Sequence, residues 1–361
     1  MLTEAAVRAA LSEVSYPGLG RDIVALGIVR AVMVNNDRVH VSLALSTARA
    51  DVPELLRTAI RERLRQAGSL GTEVQILTPG QSKLAGDPWA DRGRLPNVRR
   101  VVAVGAGKGG VGKSTVAVNL AMALQSEGLR VGILDADIYG PSVPVLVGLE
   151  DGARQVRLSE QKLIIPLEAL GLRVVSFGFF LGAESPVIWR GPVVAKTMKQ
   201  LSRGVLWPEL DVLVVDLPPG TGDVPLSLAQ SIVVDGAVVV TTPQRLAVLE
   251  AAKAIEMFRK LGVPLLGVVE NMAYASCSCG RRSHPFGAGG GAKLAREAGV
   301  PLLGEVPFEE ATVTDGDCGE PAVRPSRATP TAEAFRGIAA RVAEALTRTD
   351  EEPAPRPAAV Q

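Results

Sequence analysis

Gly107-Lys108-Gly109-Gly110-Val111-Gly112-Lys113-Ser114-Thr115 is the stretch that decides the fold. It satisfies G-x-x-x-x-G-K-[ST] and stands between an apolar run, Val101-Val102-Ala103-Val104, and a helix-forming stretch from Val116 to Leu124. A strand that feeds a glycine-rich turn and then a helix is built to bind phosphate. The glycines let successive N–H groups curl toward one anion, and the helix N-terminus adds partial positive charge. All nine residues are therefore expected at a nucleotide phosphate. Lys113 can neutralise the β- and γ-phosphates, and the Ser114 hydroxyl can hold Mg²⁺. Lys108 is a second lysine inside the loop. That variant occurs in ATPases that dimerise face to face, where the extra lysine reaches the partner's phosphates as an arginine finger does.

Working outward, apolar strands are expected near 101–105, 130–134, 172–178, 211–215, 236–241, 264–270 and 302–305, with helices between them. This alternation predicts an α/β fold, a mostly parallel doubly wound sheet spanning residues 99–347. Ligands should lie at the C-terminal strand ends, where the loop is. Residues 1–78 read as a small α+β domain. Its elements are a helix from Thr3 to Val14, with Ala6, Val7, Ala10 and Leu11 on one face, and strands at Val24–Val34 and Arg38–Leu45. A helix from Pro53 to Gln66 and a strand from Glu73 to Leu77 complete it. Residues 79–98, rich in Gly, Pro, Asp and Arg, read as a linker, and 348–361 as a disordered tail.

A length of 361 residues favours two domains, and a net charge of +1 demands neither nucleic acid nor an anionic membrane as partner. No apolar run approaches the ~20 residues that span a bilayer. Met1-Leu2-Thr3-Glu4 lacks a basic-then-apolar signal, so a cytoplasmic location is expected. Three cysteines, two of them nearly adjacent, do not form a disulfide framework.

Carboxylates close two of the strands. Asp135 and Asp137 follow the second, where they can order an attacking water or respond to the γ-phosphate. Asp216 closes Val212-Leu213-Val214-Val215 and is the expected Mg²⁺-side carboxylate, acting through water. Pro218-Pro219-Gly220-Thr221-Gly222-Asp223 then forms a loop able to switch with phosphate state. A single such aspartate would read equally as a helix cap. Asn271 ends a further strand, and its amide suits an adenine edge; a turn asparagine is the other reading. Cys277 and Cys279 follow. In an extended segment they face one side with Cα atoms ~6–7 Å apart, within reach of one metal site. Two thiolates fill half of a four-coordinate site, and a second subunit across a two-fold axis could complete it. A redox pair and two incidental thiols are the alternatives. His284 is a further candidate ligand or a surface histidine, and Cys318 reads as a turn or packing cysteine.

Several longer motifs accompany the loop: Asp135-Ala136-Asp137-Ile138-Tyr139-Gly140-Pro141-Ser142, Trp189-Arg190-Gly191-Pro192, the segment from Asp216 to Asp223, Thr241-Thr242-Pro243-Gln244 and Glu270-Asn271-Met272. With them the chain resembles the Mrp/ApbC family of iron–sulfur cluster carriers, deviant Walker A (SIMIBI-type) P-loop ATPases. The resemblance runs from residue 1 to about 345, with Gly20-Arg21-Asp22-Ile23-Val24 matching the small iron–sulfur-assembly domain often fused ahead of the ATPase. It implies ATP binding and hydrolysis coupled to carrying a cluster at a homodimer interface and passing it to apo-protein clients. ATP, Mg²⁺ and an iron–sulfur cluster are then expected, [4Fe–4S] ahead of [2Fe–2S]. Lys108, Lys113 and Asp137 become the catalytic set, and Asp135, Asp216 and Asn271 join the loop around the nucleotide. Cys277 and Cys279 become the iron ligands, and turnover is expected to be slow because no dedicated base is evident.

Three features differ from the family pattern. The cysteine motif is C-x-C where C-x-x-C is usual, Tyr16-Pro17-Gly18 replaces Asp-Pro-Glu, and no cysteine precedes residue 277. Two other function classes compete. One is a ParA/MinD-like positioning ATPase, which needs a basic surface or a bulky amphipathic anchor; the last helix, Ala332 to Leu346, carries a stripe suited to core packing instead. The other is an ATP-switched scaffold that has lost its cluster.

Overall fold

The computed structural model describes residues 2–17, 22–26, 28–35, 38–44, 51–77, 92–151, 156–180, 198, 201, 203–277, 279, 281–325 and 327–348. The chain separates into two units, residues 1–90 and 91–361. The motif Trp189-Arg190-Gly191-Pro192, the expected tail and most of the expected linker lie outside the described residues.

In the first unit, α1 (Glu4–Leu11) precedes β1 (Val29–Asn35), β2 (Arg38–Ala44), α2 (Val52–Gln66) and β3 (Gly71–Leu77). The Thr3 hydroxyl caps α1 by accepting from the Ala6 N–H at 3.2 Å. The helix ends at Leu11, short of the expected Val14, and Ala6 is exposed while Val7, Ala10 and Leu11 are buried. The strand expected from Val24 starts only at Val29. Asp22 explains the delay: its Oδ1 accepts from Val24 N and Ala25 N at 3.0 and 2.7 Å, folding that segment into a turn. β2 pairs antiparallel with β1 and parallel with β3, with α2 as the crossover. Val52, Leu56, Ile60 and Leu64 repeat every fourth residue along α2 and share a core with Val39, Val41 and Leu43, which alternate along β2.

In the second unit the order begins β4 (Val98–Ala106), α3 (Lys113–Ser126), β5 (Val131–Asp135), α4 (Val143–Leu146), β6 (Arg157–Leu158), β7 (Ile164–Ile165), β8 (Leu167–Ala169) and β9 (Leu172–Ser176). It continues with β10 (Leu210–Asp216), α5 (Asp223–Ser231), β11 (Gly236–Thr241), α6 (Arg245–Lys260), β12 (Leu265–Glu270), β13 (Ala275–Ser276) and β14 (Arg282–Ser283). Then come α7 (Gly290–Ala298), β15 (Leu302–Glu305), α8 (Glu310–Asp317) and α9 (Pro330–Arg348). Eight strands form one sheet in the order β15-β12-β11-β4-β10-β5-β9-β8. Every pairing is parallel except β8 with β9 at one edge.

Central strands are apolar on both faces because helices cover both. Val102 and Val104 face a core shared with α3 and with Phe335, Ile338 and Val342 of α9. The apolar stripe of the last helix is thus spent in the interior. On the other face, a side chain at Gly105 would come within 2.9 Å of the Phe258 ring of α6. Residues 92–98, expected as linker, belong to this unit: Gly93 bridges to Ile232, Leu95 is buried, and Arg94 is 3.0 Å from Asp235. Among the described residues no helix is long and apolar enough to cross a membrane.

Candidate nucleotide site and cysteine hairpin

The loop leaves β4 in the middle of the sheet and is shaped by its neighbours. A Cβ on Gly107 would lie 2.0 Å from the Glu250 carbonyl carbon, so α6 can approach only a glycine there. Gly112 has φ 77°, and a Cβ on it would lie 2.2 Å from the Asn271 amide nitrogen. Helix α3 starts at Lys113, three residues before the apolar pattern, because Val116 N donates to Gly112 O at 2.9 Å. Its N-terminus carries no side-chain cap, which leaves first-turn N–H groups for an anion.

Toward β10 and β5 the site is ionic and buried. Lys113 Nζ lies 2.6 Å from Asp216 Oδ1, 3.6 Å from Asp137 Oδ2 and 3.1 Å from Ser114 Oγ. The parallel register sets Asp216 opposite Asp135, so both strand-end carboxylates fall at one level. Burial raises the pKa of Asp216 despite the lysine, and Asp216 Oδ2 is buried with no hydrogen-bond partner among the described residues. Asp135 differs from expectation. It is fully buried and accepts from Asp137 N, Val143 N and Ser176 Oγ at 3.1, 3.2 and 2.9 Å. It therefore shapes the turn that follows β5, with both carboxylate oxygens accepting from protein donors. Burial, with the Asp216 charge second, pushes its pKa up to about 7. Asp137 does reach open space, in a cavity of about 490 Å³ that it lines with Tyr139, Pro218, Pro219, Gly222 and Asp223. Lys108 is half-buried and forms no ion pair with a described residue.

Toward β12 and β15 the site is mostly apolar. A cavity of about 140 Å³ is bounded by Gly112, Thr115, Asn271, Met272, Pro307 and Phe308, among others. Asn271 does more than the sequence suggested. Its Nδ2 donates to the Val111 carbonyl at 2.8 Å, tying the loop to the end of β12. One of its two amide N–H groups is used by that bond, leaving the other N–H and Oδ1 for a base edge. The preceding Glu270 is buried and accepts from the Gly291 N–H at the start of α7, and burial raises its pKa. Sequence reasoning gave Ser176, Glu270 and Phe308 no role; a lone polar residue closing an apolar run was the available signal for the first two.

Beyond Asn271 the chain enters the β13–β14 hairpin that carries the cysteines. The segment is turned where an extended one was expected. Cys277 N donates to Arg281 O at 3.0 Å, which shortens the Cα–Cα distance between Cys277 and Cys279 to 5.3 Å and brings their sulfurs together in a disulfide. Cys279 is exposed. His284 Nδ1 lies 3.0 Å from Ala273 O, and its ring meets Tyr274 edge-on, so this histidine braces the hairpin. Arg282 lies over Tyr274 at 4.2 Å. Cys318 is a free, exposed cysteine at the end of α8. Among the described residues no three His, Cys, Asp or Glu side chains converge on a metal position.

Residues 97–343 match the family model described as NUBPL iron-transfer P-loop NTPase, and residues 4–76 match that of an iron–sulfur cluster assembly protein. An iron–sulfur cluster carrier protein of Deinococcus radiodurans is 43% identical over 92% of this chain and 93% of its own length. A solved nucleotide-binding protein of Archaeoglobus fulgidus, in complex with ADP, is 41% identical, with a TM-score of 0.56 over 63% of this chain and 88% of that one. The cell division ATPase MinD of Pyrococcus furiosus, at 22% identity and TM-score 0.50 over 68% of this chain and 99% of its own, shares the fold alone. With a phosphate loop at the head of a parallel sheet and a hairpin carrying Cys277 and Cys279 beside it, the chain belongs to the iron-transfer P-loop NTPase family, the family of the iron–sulfur cluster carrier proteins.

Proposed function

We propose that this protein is an ATP-hydrolysing iron–sulfur cluster carrier that holds its cargo on Cys277 and Cys279 of two subunits and passes it to apo-proteins in the cytoplasm. One observation carries the reading. Asn271 grips the nucleotide loop at 2.8 Å, and Cys277 stands six residues further along the same excursion of chain. Nucleotide and cargo sites are thus built on one strand end.

Lys113 neutralises the incoming β- and γ-phosphates, giving up its buried carboxylate partners as it does so. That exchange leaves Asp137 facing the larger cavity, where it can orient the attacking water. Ser114 and the unpartnered Oδ2 of Asp216 suit Mg²⁺, which when bound would add positive charge beside the phosphates. Lys108, without a carboxylate of its own, reaches the phosphates of a second copy in a face-to-face homodimer. The base lies toward Asn271, whose Oδ1 accepts from an adenine amino group. Once the Cys277–Cys279 disulfide is reduced by a cellular dithiol, each subunit offers two thiols, so a cluster with four thiolate ligands requires the pair from both. [4Fe–4S] is favoured over [2Fe–2S], and neither nucleic acid nor membrane is a partner.

Anaerobic reconstitution with iron and sulfide tests this. About four irons and four sulfides per dimer, lost in Cys277→Ser and in Cys279→Ser, is the expected result. Colourless protein that still binds ATP would favour the scaffold reading instead.

A further inference from the structure

The smaller cavity and the cysteine hairpin share a wall. Phe308 lines the cavity beside Thr115 and Asn271 and is 38% exposed. Its ring meets that of Phe286 edge-to-face, with centroids 6.0 Å apart and planes at 87°. Its N–H donates to Tyr274 O at 2.7 Å. Tyr274 immediately precedes β13, and Phe286 follows β14 by three residues, so Phe308 holds both legs of the hairpin at its base. The contact of His284 with Ala273 O joins the two legs, and the bond from Cys277 N to Arg281 O closes the tip. Held at base and tip, the hairpin must follow Phe308 as one piece.

We propose that Phe286 is a positioning residue: through its contact with Phe308 it relays nucleotide occupancy of the smaller cavity to Cys277 and Cys279. The relay rests on the reading that this cavity takes the nucleotide base. Sheet order supports that reading. Lys113 points to Asp137 and Asp216 on the β10–β5 side of the loop, which sets the phosphate end there and leaves the β12–β15 side for the base. A base in the cavity touches one side of Phe308 while the hairpin touches the other. Communication then runs from the base end of the nucleotide, separately from the loops that follow β5 and β10.

The test uses reduced, cluster-free, full-length protein in a Cys318→Ser background, so that the hairpin supplies the only thiols. Alkylation of Cys277 and Cys279 by iodoacetamide is timed with and without Mg·ADP, and ADP affinity is measured by competition with a fluorescent analogue. ADP should change the alkylation rate about fivefold or more. Phe286→Ala should cut that response to about half or less, the Phe308 N–H bond to Tyr274 O remaining, while ADP affinity stays within about twofold, since Phe286 does not line the cavity. Phe286→Tyr, which keeps the ring, should restore it. A full ADP response in Phe286→Ala would overturn the relay and leave the nucleotide reading intact. Wild-type protein that binds ADP with unchanged alkylation would do the same. Failure to bind ADP would overturn the base-cavity reading and the relay with it.

Discussion

The nucleotide loop and the cysteine hairpin lie at opposite ends of the same contact with Asn271, yet they are built in opposite ways. Around the loop, Lys113, Asp135, Asp137 and Asp216 are all buried, and the register of parallel strands fixes their positions. Such a site holds charge that the fold must keep compensated. The hairpin is a surface turn of two-residue strands, held at its base by Tyr274, His284 and Phe286. It carries Cys277 and Cys279, which are joined in a disulfide. The loop's chemistry should therefore be sensitive to almost any internal change, while the hairpin should tolerate substitution structurally and lose only its cargo.

That contrast can be broken most forcefully at Lys113. Lys113→Ala should lower phosphate release about 100- to 1,000-fold, as removal of a transition-state donor does. Hydrolysis within tenfold of wild type would mean that the buried ion cluster is structural. A pH effect comes next. Asp135 has a folded-state pKa of about 7, above the ordinary carboxylate value, so the folded form binds the extra proton. The associated stability is fully present below about pH 4 and is lost as pH rises through 7, an effect on the order of a few kcal/mol. Urea unfolding of nucleotide-free protein should therefore show lower stability at pH 8 than at pH 6, with the slope flattened in Asp135→Asn. An unchanged slope in the variant would remove Asp135 as its source.

Asn271→Ala deletes the brace between the two regions. It should cost about 1–3 kcal/mol by leaving the buried Val111 carbonyl unpartnered, and it should weaken nucleotide affinity alongside. The smallest effect is expected at the hairpin. Cys277→Ser and Cys279→Ser should change the unfolding free energy by no more than about 0.5 kcal/mol and leave nucleotide binding unaltered while abolishing cluster retention. A large stability loss in either would show the hairpin to be part of the core.

The sequence carried the sheet well for a physical reason. Strands buried on both faces read as unbroken apolar runs, as in Val101–Val104 and Val212–Val215, and little else produces that pattern. Edge strand β8 gave no such signal, since Leu167-Glu168-Ala169 is three residues long and only half covered. The phosphate loop is legible because its chemistry is contiguous. What joins loop to hairpin is not: Val111 and Asn271 are 160 residues apart, and no local pattern announces a side-chain amide reaching a distant carbonyl. The C-x-C turn was misread as extended because alternation was assumed where a hairpin tip reverses the chain. The strand expected from Val24 failed similarly, since one carboxylate at Asp22 outweighed the local β-propensity.

Sheet order also governs how the chain is made. β4 ends at Ala106, but its two neighbours begin only at Leu210 and Gly236. During synthesis the strand that carries the nucleotide loop has no sheet partner until β10 emerges and only one until β11 follows. Long-range parallel pairing of this kind is slow and exposes sticky surface to other chains. The first unit pairs its described strands β1, β2 and β3 within residues 29–77 and can close much earlier. Nascent chains arrested before Gly236 should thus hold a protease-resistant first unit ahead of a protease-sensitive remainder, and ATP should protect nothing until β11 has emerged.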